Sequence, residues 1–129
     1  MIASARVVDA SALAAVAFVE PQGSAMEKRL AGVELLAPPL LPAELTNIAR
    51  KKCRRQPDQA TIVDGQLSEI LAVPFKLVGV DHRETLQLAL LWGLSAYDAS
   101  YLWVAWRHGL ELVTLDRRLG AVAAEMGLS

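Results

Sequence analysis

The sequence predicts a single α/β domain built on a mainly parallel sheet, and three observations carry that expectation. Short apolar or β-branched runs recur at 6–9, 34–37, 75–80 and 111–115, each separated from the next by patterned helical segments. A length of 129 residues supplies one sizeable core and not two, so 1–129 is read as one domain. With 53% hydrophobic and 21% charged residues, the composition is that of a compact folded chain rather than a disordered one.

Residues 6–9 are a brief β-branched run suited to a buried central strand. Asp9, Ala10 and Ser11 then open an alanine-rich helix to about Val19, which Pro21 ends. A second helix over about 22–31 places Ala25, Met26 and Leu30 on one side and stops at Gly32, and 34–37 reads as the next strand. After the run PPLLP at 38–42, Pro42 suits the first helical position, where its missing N–H costs nothing. The helix that follows carries two neighbouring stripes, Leu45, Ile48, Ala49 and Lys52 on one and Glu44, Asn47 and Lys51 on the other.

Beyond Pro57, a helix over about 58–71 is expected to turn Ile62, Leu67, Ile70 and Leu71 inward. The segment 75–80 has strand-like composition, of which two or three residues suffice for a strand. A helix over 82–92 carries Leu86, Ala89 and Leu90 and stops at Gly93, and the next helix reaches His108 before Gly109 closes it. Residues 111–115 are the clearest strand, and a last helix runs from about Arg117 to Met126.

Several function classes are disfavoured. No apolar stretch approaches the roughly 18 residues needed to span a bilayer. Arg6 and Asp9 fall where a secretion signal would continue its apolar region, so a cytoplasmic protein without a membrane partner is expected. One cysteine, Cys53, allows neither an internal disulfide nor a cysteine-rich zinc site. The net charge of -1 argues against a purely electrostatic nucleic-acid coat, although RKKCRR at 50–55 gathers five positive charges. That run fits a phosphate-holding patch or, equally, a solvated helix end. Phosphate-loop, dinucleotide and nucleophile-elbow motifs are absent from the sequence.

Four acids stand at the edges of apolar segments: Asp9 in VVD, Glu44 in PAELTN, Asp98 in SAYDAS and Asp116 in LVTLD. Carboxylates so placed are rarely buried unless paired or metal-bound. Taken singly, each is as well explained as a helix cap or first-turn acid. Taken together, they depend on the fold, because parallel sheets collect ligands beyond the carboxyl ends of their strands, where Asp9 and Asp116 stand. Glu44 and Asp98 lie near the starts of helices, which reach the same rim.

Oxygen ligands select hard cations, so Mg²⁺ or Mn²⁺ is the expected occupant. Divalent ions held by carboxylates activate water and neutralise phosphoryl oxygens, so phosphodiester hydrolysis needs no histidine here. His82 begins one helix and His108 ends another, which makes both poor ligands. Ser11 and Thr114 are placed to hydrogen-bond a carboxylate, a water or phosphate, Asn47 to orient Glu44, and Arg117 to contact phosphate. The residues alone leave open a metal-dependent DNA nuclease, an RNA-processing enzyme, or an RNA- or protein-binding module that keeps the acids for structure.

The ordered strings VVDASAL at 7–13, PAELTNI at 42–48, SAYDASYLWVA at 95–105 and LVTLDRRL at 112–119 resemble the PIN-domain family, most closely its small VapC-type toxin ribonucleases. The resemblance implies a three-layer α/β/α fold and a Mg²⁺- or Mn²⁺-dependent endoribonuclease. In it Asp9, Glu44, Asp98 and Asp116 match the metal-binding catalytic acids, and Ser11, Asn47 and Thr114 match accessory polar positions. It further implies an RNA substrate, a homodimer, and a small cognate antitoxin that covers the acidic site in a hetero-oligomer. Many relatives add a short strand after the final helix, whereas here the last helix is followed almost at once by MGLS, which leaves the last sheet edge open.

Overall fold

The computed structural model describes residues 4–129. Four short strands, β1 (Ala5–Val8), β2 (Glu34–Ala37), β3 (Lys76–Leu77) and β4 (Leu112–Val113), pair in parallel in the order β3-β2-β1-β4. Val7 faces Leu36 on one side and Leu112 on the other, so β1 is central, and Val7 and Val8 are fully buried. A parallel strand is covered on both faces, and the second half of β1 is accordingly apolar, while Arg6 in its first half pairs with Glu111.

The helices are α1 (Ala10–Ala17), α2 (Gly23–Leu30), α3 (Leu41–Arg55), α4 (Ala60–Leu71), α5 (His82–Trp92), α6 (Ala96–His108) and α7 (Arg117–Glu125). Helices α1 to α4 pack on one another, while α6 lies on β1, β2 and β4 with α5 and α7 at its flanks. The result is a three-layer α/β/α fold around the sheet. Its core includes Leu13, Leu41, Leu45, Tyr101, Leu102, Val104 and Leu119, each almost wholly buried.

The topology decides where a ligand can sit. The chain steps outward from β1 through β2 to β3, then returns to place β4 on the other side of β1. A crevice therefore opens beyond the carboxyl ends of β1 and β4, where the connections leave in opposite directions. On the outer edge of β4 the Leu112 N–H donates to the Leu128 carbonyl at 2.7 Å, so the closing residues cover that edge. Gly127, at φ 73°, makes the turn that brings them there.

Two close constraints shape the α1–α2 corner. Gly23 opens α2 directly against α1, and a Cβ there would stand 2.4 Å from the Ala15 carbonyl oxygen. Just before it, Val19 adopts φ 53°, the left-handed region, with its side chain 80% exposed. A β-branched residue is costly in that conformation.

Several expectations need adjustment. In α4 the buried positions are Val63 and Ile70, while Ile62 and Leu71 are exposed, because Val63 and Ile70 lie two turns apart on the face toward α1 and α3. In α5 the helix packs on α6 through Thr85, Leu88 and Ala89, which leaves Leu86 and Leu90 facing outward. Ala25 is exposed although Met26 and Leu30 are buried. Leu41, not Pro42, is the first residue of α3, and a 3-10 turn at Pro57–Gln59 precedes α4.

Candidate active site

Asp9 follows β1 without a spacer and is the N-cap of α1. Its carboxylate accepts from the Ala12 N–H at 3.1 Å, the Ser11 hydroxyl at 2.7 Å and the Thr114 hydroxyl. Ser11 Oγ in turn accepts from the Leu115 N–H at 2.9 Å, and Thr114 Oγ1 from the Asp116 N–H at 3.0 Å. Two hydroxyls thus latch the turn after β1 to the turn after β4. Asp9 is only 6% exposed. Burial raises its pKa above the usual carboxylate range; the Thr114, Ser11 and Ala12 hydrogen bonds oppose that rise, and the charge of Asp116 adds to it.

Asp116 is the N-cap of α7, accepts from the Leu119 N–H at 2.8 Å and remains exposed. Asp98 sits in the first turn of α6, where its N–H donates to the N-cap hydroxyl of Ser95 at 3.0 Å. Glu44 occupies the first turn of α3 and accepts from the Tyr101 hydroxyl at 2.6 Å. Burial raises the Glu44 carboxyl; the Tyr101 phenol opposes this, and the charges of Asp98 and Asp9 reinforce it. Asp98 is raised by burial and by Asp116 and Asp9, with Ser95 and Arg118 acting the other way. The Tyr101 hydroxyl is itself pushed well above its usual range by burial and by Glu44, so it stays protonated.

All four acids line one cavity of about 430 Å³, together with Ser11, Asn47, Lys51, Tyr97 and Tyr101. The polar stripe of α3, Glu44, Asn47 and Lys51, therefore does face the crevice. Thr114 acts from behind it, through Asp9 and Asp116. Arg117 is exposed and is not among the lining residues; the arginine whose charge reaches Asp98 is Arg118. Of the basic run, Lys51 lines the cavity, whereas Lys52 pairs with Glu20 at 3.0 Å and rests over the Phe18 ring. His82 lines a separate apolar cavity, and His108 Nδ1 lies 2.9 Å from the Val104 carbonyl oxygen.

Among the described residues, ion pairs join Arg6 and Arg29 to Glu111 and Lys52 to Glu20, and none involves the four acids. Nor do three His, Cys, Asp or Glu side chains among the described residues meet closely enough to bind one ion directly. The acids share a cavity and feel one another's charge without forming a tight cluster. An all-oxygen donor set, in which burial and neighbouring charge raise Asp9, Glu44 and Asp98, fits a hard divalent cation, which can keep several of its waters and take only one or two carboxylates directly.

Tyr101 escapes a reading based on acids alone. The available signal is spacing, since it follows Asp98 by three positions on α6 and so shares its face. Tyr97, next to Asp98, is exposed and also lines the cavity.

The sequence and the fold match known proteins. The PIN domain family model matches residues 6–125, and the chain belongs to the PIN-domain family, in its VapC-type branch. Membership carries nuclease function in general. The chain is 34% identical over 122 residues to Ribonuclease VapC3 of Pyrobaculum aerophilum, covering 88% of this chain and 90% of that one. It is similar in structure to PAE2754 from Pyrobaculum aerophilum, with TM-score 0.73, 33% identity, and coverage of 93% of this chain and 86% of that one. The Mycobacterium tuberculosis toxin VapC20, described as cleaving the sarcin-ricin loop, shares the fold with TM-score 0.64 at 18% identity, covering 92% of this chain and 95% of that one.

Proposed function

We propose that this chain is a Mg²⁺- or Mn²⁺-dependent endoribonuclease that hydrolyses RNA phosphodiester bonds, and the toxin of a toxin-antitoxin pair. The observation that carries the reading is the shared cavity, where Asp9, Glu44, Asp98 and Asp116 come together at the switch point of a parallel sheet without a basic partner in an ion pair. A bound divalent ion would supply an activated water and neutralise charge on the phosphoryl oxygens. One or two of the four acids would hold it directly and the others through its waters. Ser11, Thr114 and the Ala12 N–H keep Asp9 turned toward the cavity, and Asn47 is within the same lining to orient Glu44 or a water. Lys51 in the cavity lining, Arg118, whose charge reaches Asp98, and the exposed Arg117 beside Asp116 offer positive charge to phosphate.

The name of the VapC3 relative, a ribonuclease, supports RNA as substrate, and membership of the VapC-type toxins supports a small antitoxin as partner. Exposed Leu86, Leu90 and Leu91 on α5 support a protein partner, as the homodimer expectation requires. No described helix is long and apolar enough to cross a membrane.

The test is to incubate labelled RNA and single-stranded DNA in parallel with purified wild type and Asp9→Asn, with Mg²⁺, with Mn²⁺ and with chelator. Endonucleolytic RNA products that need both the ion and Asp9 are expected. DNA cleavage at the same rate would move the assignment to a general nuclease, and ion-independent products would end it.

A further inference from the structure

We propose that Tyr101 is a positioning residue for the reaction, its buried hydroxyl fixing Glu44 in the acidic cavity without placing a positive charge beside that carboxylate. The inference rests on the nuclease reading above and assigns a role to a residue outside the acidic set.

Glu44 and Asp98 come from different helices, and a glutamate side chain loses roughly 1.5–2 kcal/mol of rotamer freedom when held in one geometry. Something must hold it. Tyr101 is 1% exposed, so its ring is locked in the core between the helices and the sheet. Its hydroxyl donates to Glu44 Oε1 at 2.6 Å, within the short range typical of an O–H bond to a carboxylate. Because Tyr101 and Asp98 stand three positions apart on α6, that one helix both carries Asp98 and sets the position of Glu44. Two acids on separate elements are thereby referred to a single rigid frame.

The chemistry of the donor matters as much as its place. A lysine or arginine in this position would hold Glu44 by neutralising it and would compete with any cation for the same charge. A phenol holds one oxygen and leaves the charge unspent. The same choice recurs at Asp9, whose donors are two hydroxyls and a backbone N–H, all uncharged. Lys51 lines the cavity yet makes no ion pair with Glu44. A structural tyrosine seeking any acceptor would need neither this partner nor this pattern.

The experiment compares wild type, Tyr101→Phe, Glu44→Gln and the double variant. Melting is followed by circular dichroism, Mn²⁺ binding by electron paramagnetic resonance of the free ion, and RNA cleavage by steady-state kinetics. Tyr101→Phe should stay folded and lose roughly 10- to 100-fold in Mn²⁺ affinity or kcat, the scale of a lost outer partner of a metal ligand. KM for RNA should not change, and the loss should vanish in the Glu44→Gln background, because the phenol acts through Glu44. Equal Mn²⁺ binding and cleavage by Tyr101→Phe, or the same loss with and without Glu44, would overturn the proposal. Should Tyr101→Phe fail to fold, Glu44→Asp takes its place: the charge remains but falls short of the phenol, so the same loss is expected, and undiminished affinity overturns the idea. Wild type that neither binds Mn²⁺ nor cleaves RNA would sink the nuclease reading itself, whereas active wild type with an indifferent Tyr101→Phe sinks the role of Tyr101 alone.

Discussion

The Thr114 hydroxyl donates to the Asp9 carboxylate across 105 positions of sequence and, on its other side, accepts from the Asp116 N–H. One side chain therefore couples the turns after the first and last strands. Thr114→Val keeps the branched shape, removes one of three donors to the buried Asp9 carboxylate and releases the exposed Asp116 N–H to solvent. A loss of about 1–3 kcal/mol in metal-free stability is expected, the cost of leaving a buried polar group short of a partner. Urea unfolding with an unchanged m-value would measure it.

Asp98→Asn removes a charge from a half-buried carboxylate that burial, Asp116 and Asp9 all disfavour. In chelator the variant should melt above wild type, and in excess Mg²⁺ that advantage should shrink or reverse. A variant that melts at or below wild type in chelator would show that the acids do not burden the fold. RNA cleavage should fall by more than the roughly 10- to 100-fold that loss of an outer partner costs.

The pH dependence has a definite sign. Asp9, Glu44 and Asp98 all have folded pKa values above their ordinary ones, chiefly through burial. Such a group stabilises the fold fully below its unfolded pKa and loses that contribution as pH rises through the folded value. Without metal, the melting temperature attributable to these acids should therefore climb as pH is lowered from neutral toward the carboxylate range. Subtracting the profile of a triple variant, Asp9→Asn with Glu44→Gln and Asp98→Asn, should isolate that slope.

Val19 carries a left-handed backbone angle with most of its side chain in solvent, so its conformation is strained with little packing in return. Val19→Asn should stabilise the fold by about 1 kcal/mol, since asparagine tolerates that region far better. Denaturant midpoints would register the gain. RNA cleavage should be unaffected, because Val19 is not among the residues lining the acidic cavity.

Element order and the acidic set were legible because both rest on local signals. Val7 and Val8 form the apolar end of β1, Gly93 and Gly109 adopt the left-handed caps that end α5 and α6, and each acid borders a hydrophobic run. Helix faces were harder. Leu86, Leu90, Ile62 and Leu71 are apolar but face solvent, because only the packing of α5 on α6 and of α4 on α1 and α3 decides which stripe turns inward. The directions of the basic residues depend on helix geometry in the same way. Arg117 adjoins Asp116 in sequence, yet one step along α7 swings the side chain by roughly 100°, and Arg118 is the neighbour whose charge reaches Asp98. Tyr101 needed the tertiary pairing of α3 with α6 before its hydroxyl could be matched to Glu44.

The division of the acidic crevice between β1 and β4 also sets when it can exist. Translation delivers Asp9 early, while Thr114, Leu115 and Asp116 emerge near the end and supply its distant donors and its neighbouring charge. A nascent chain therefore carries Asp9 without the crevice. On the proposed reading as a ribonuclease, the acidic site would be assembled only once the last strand has been made.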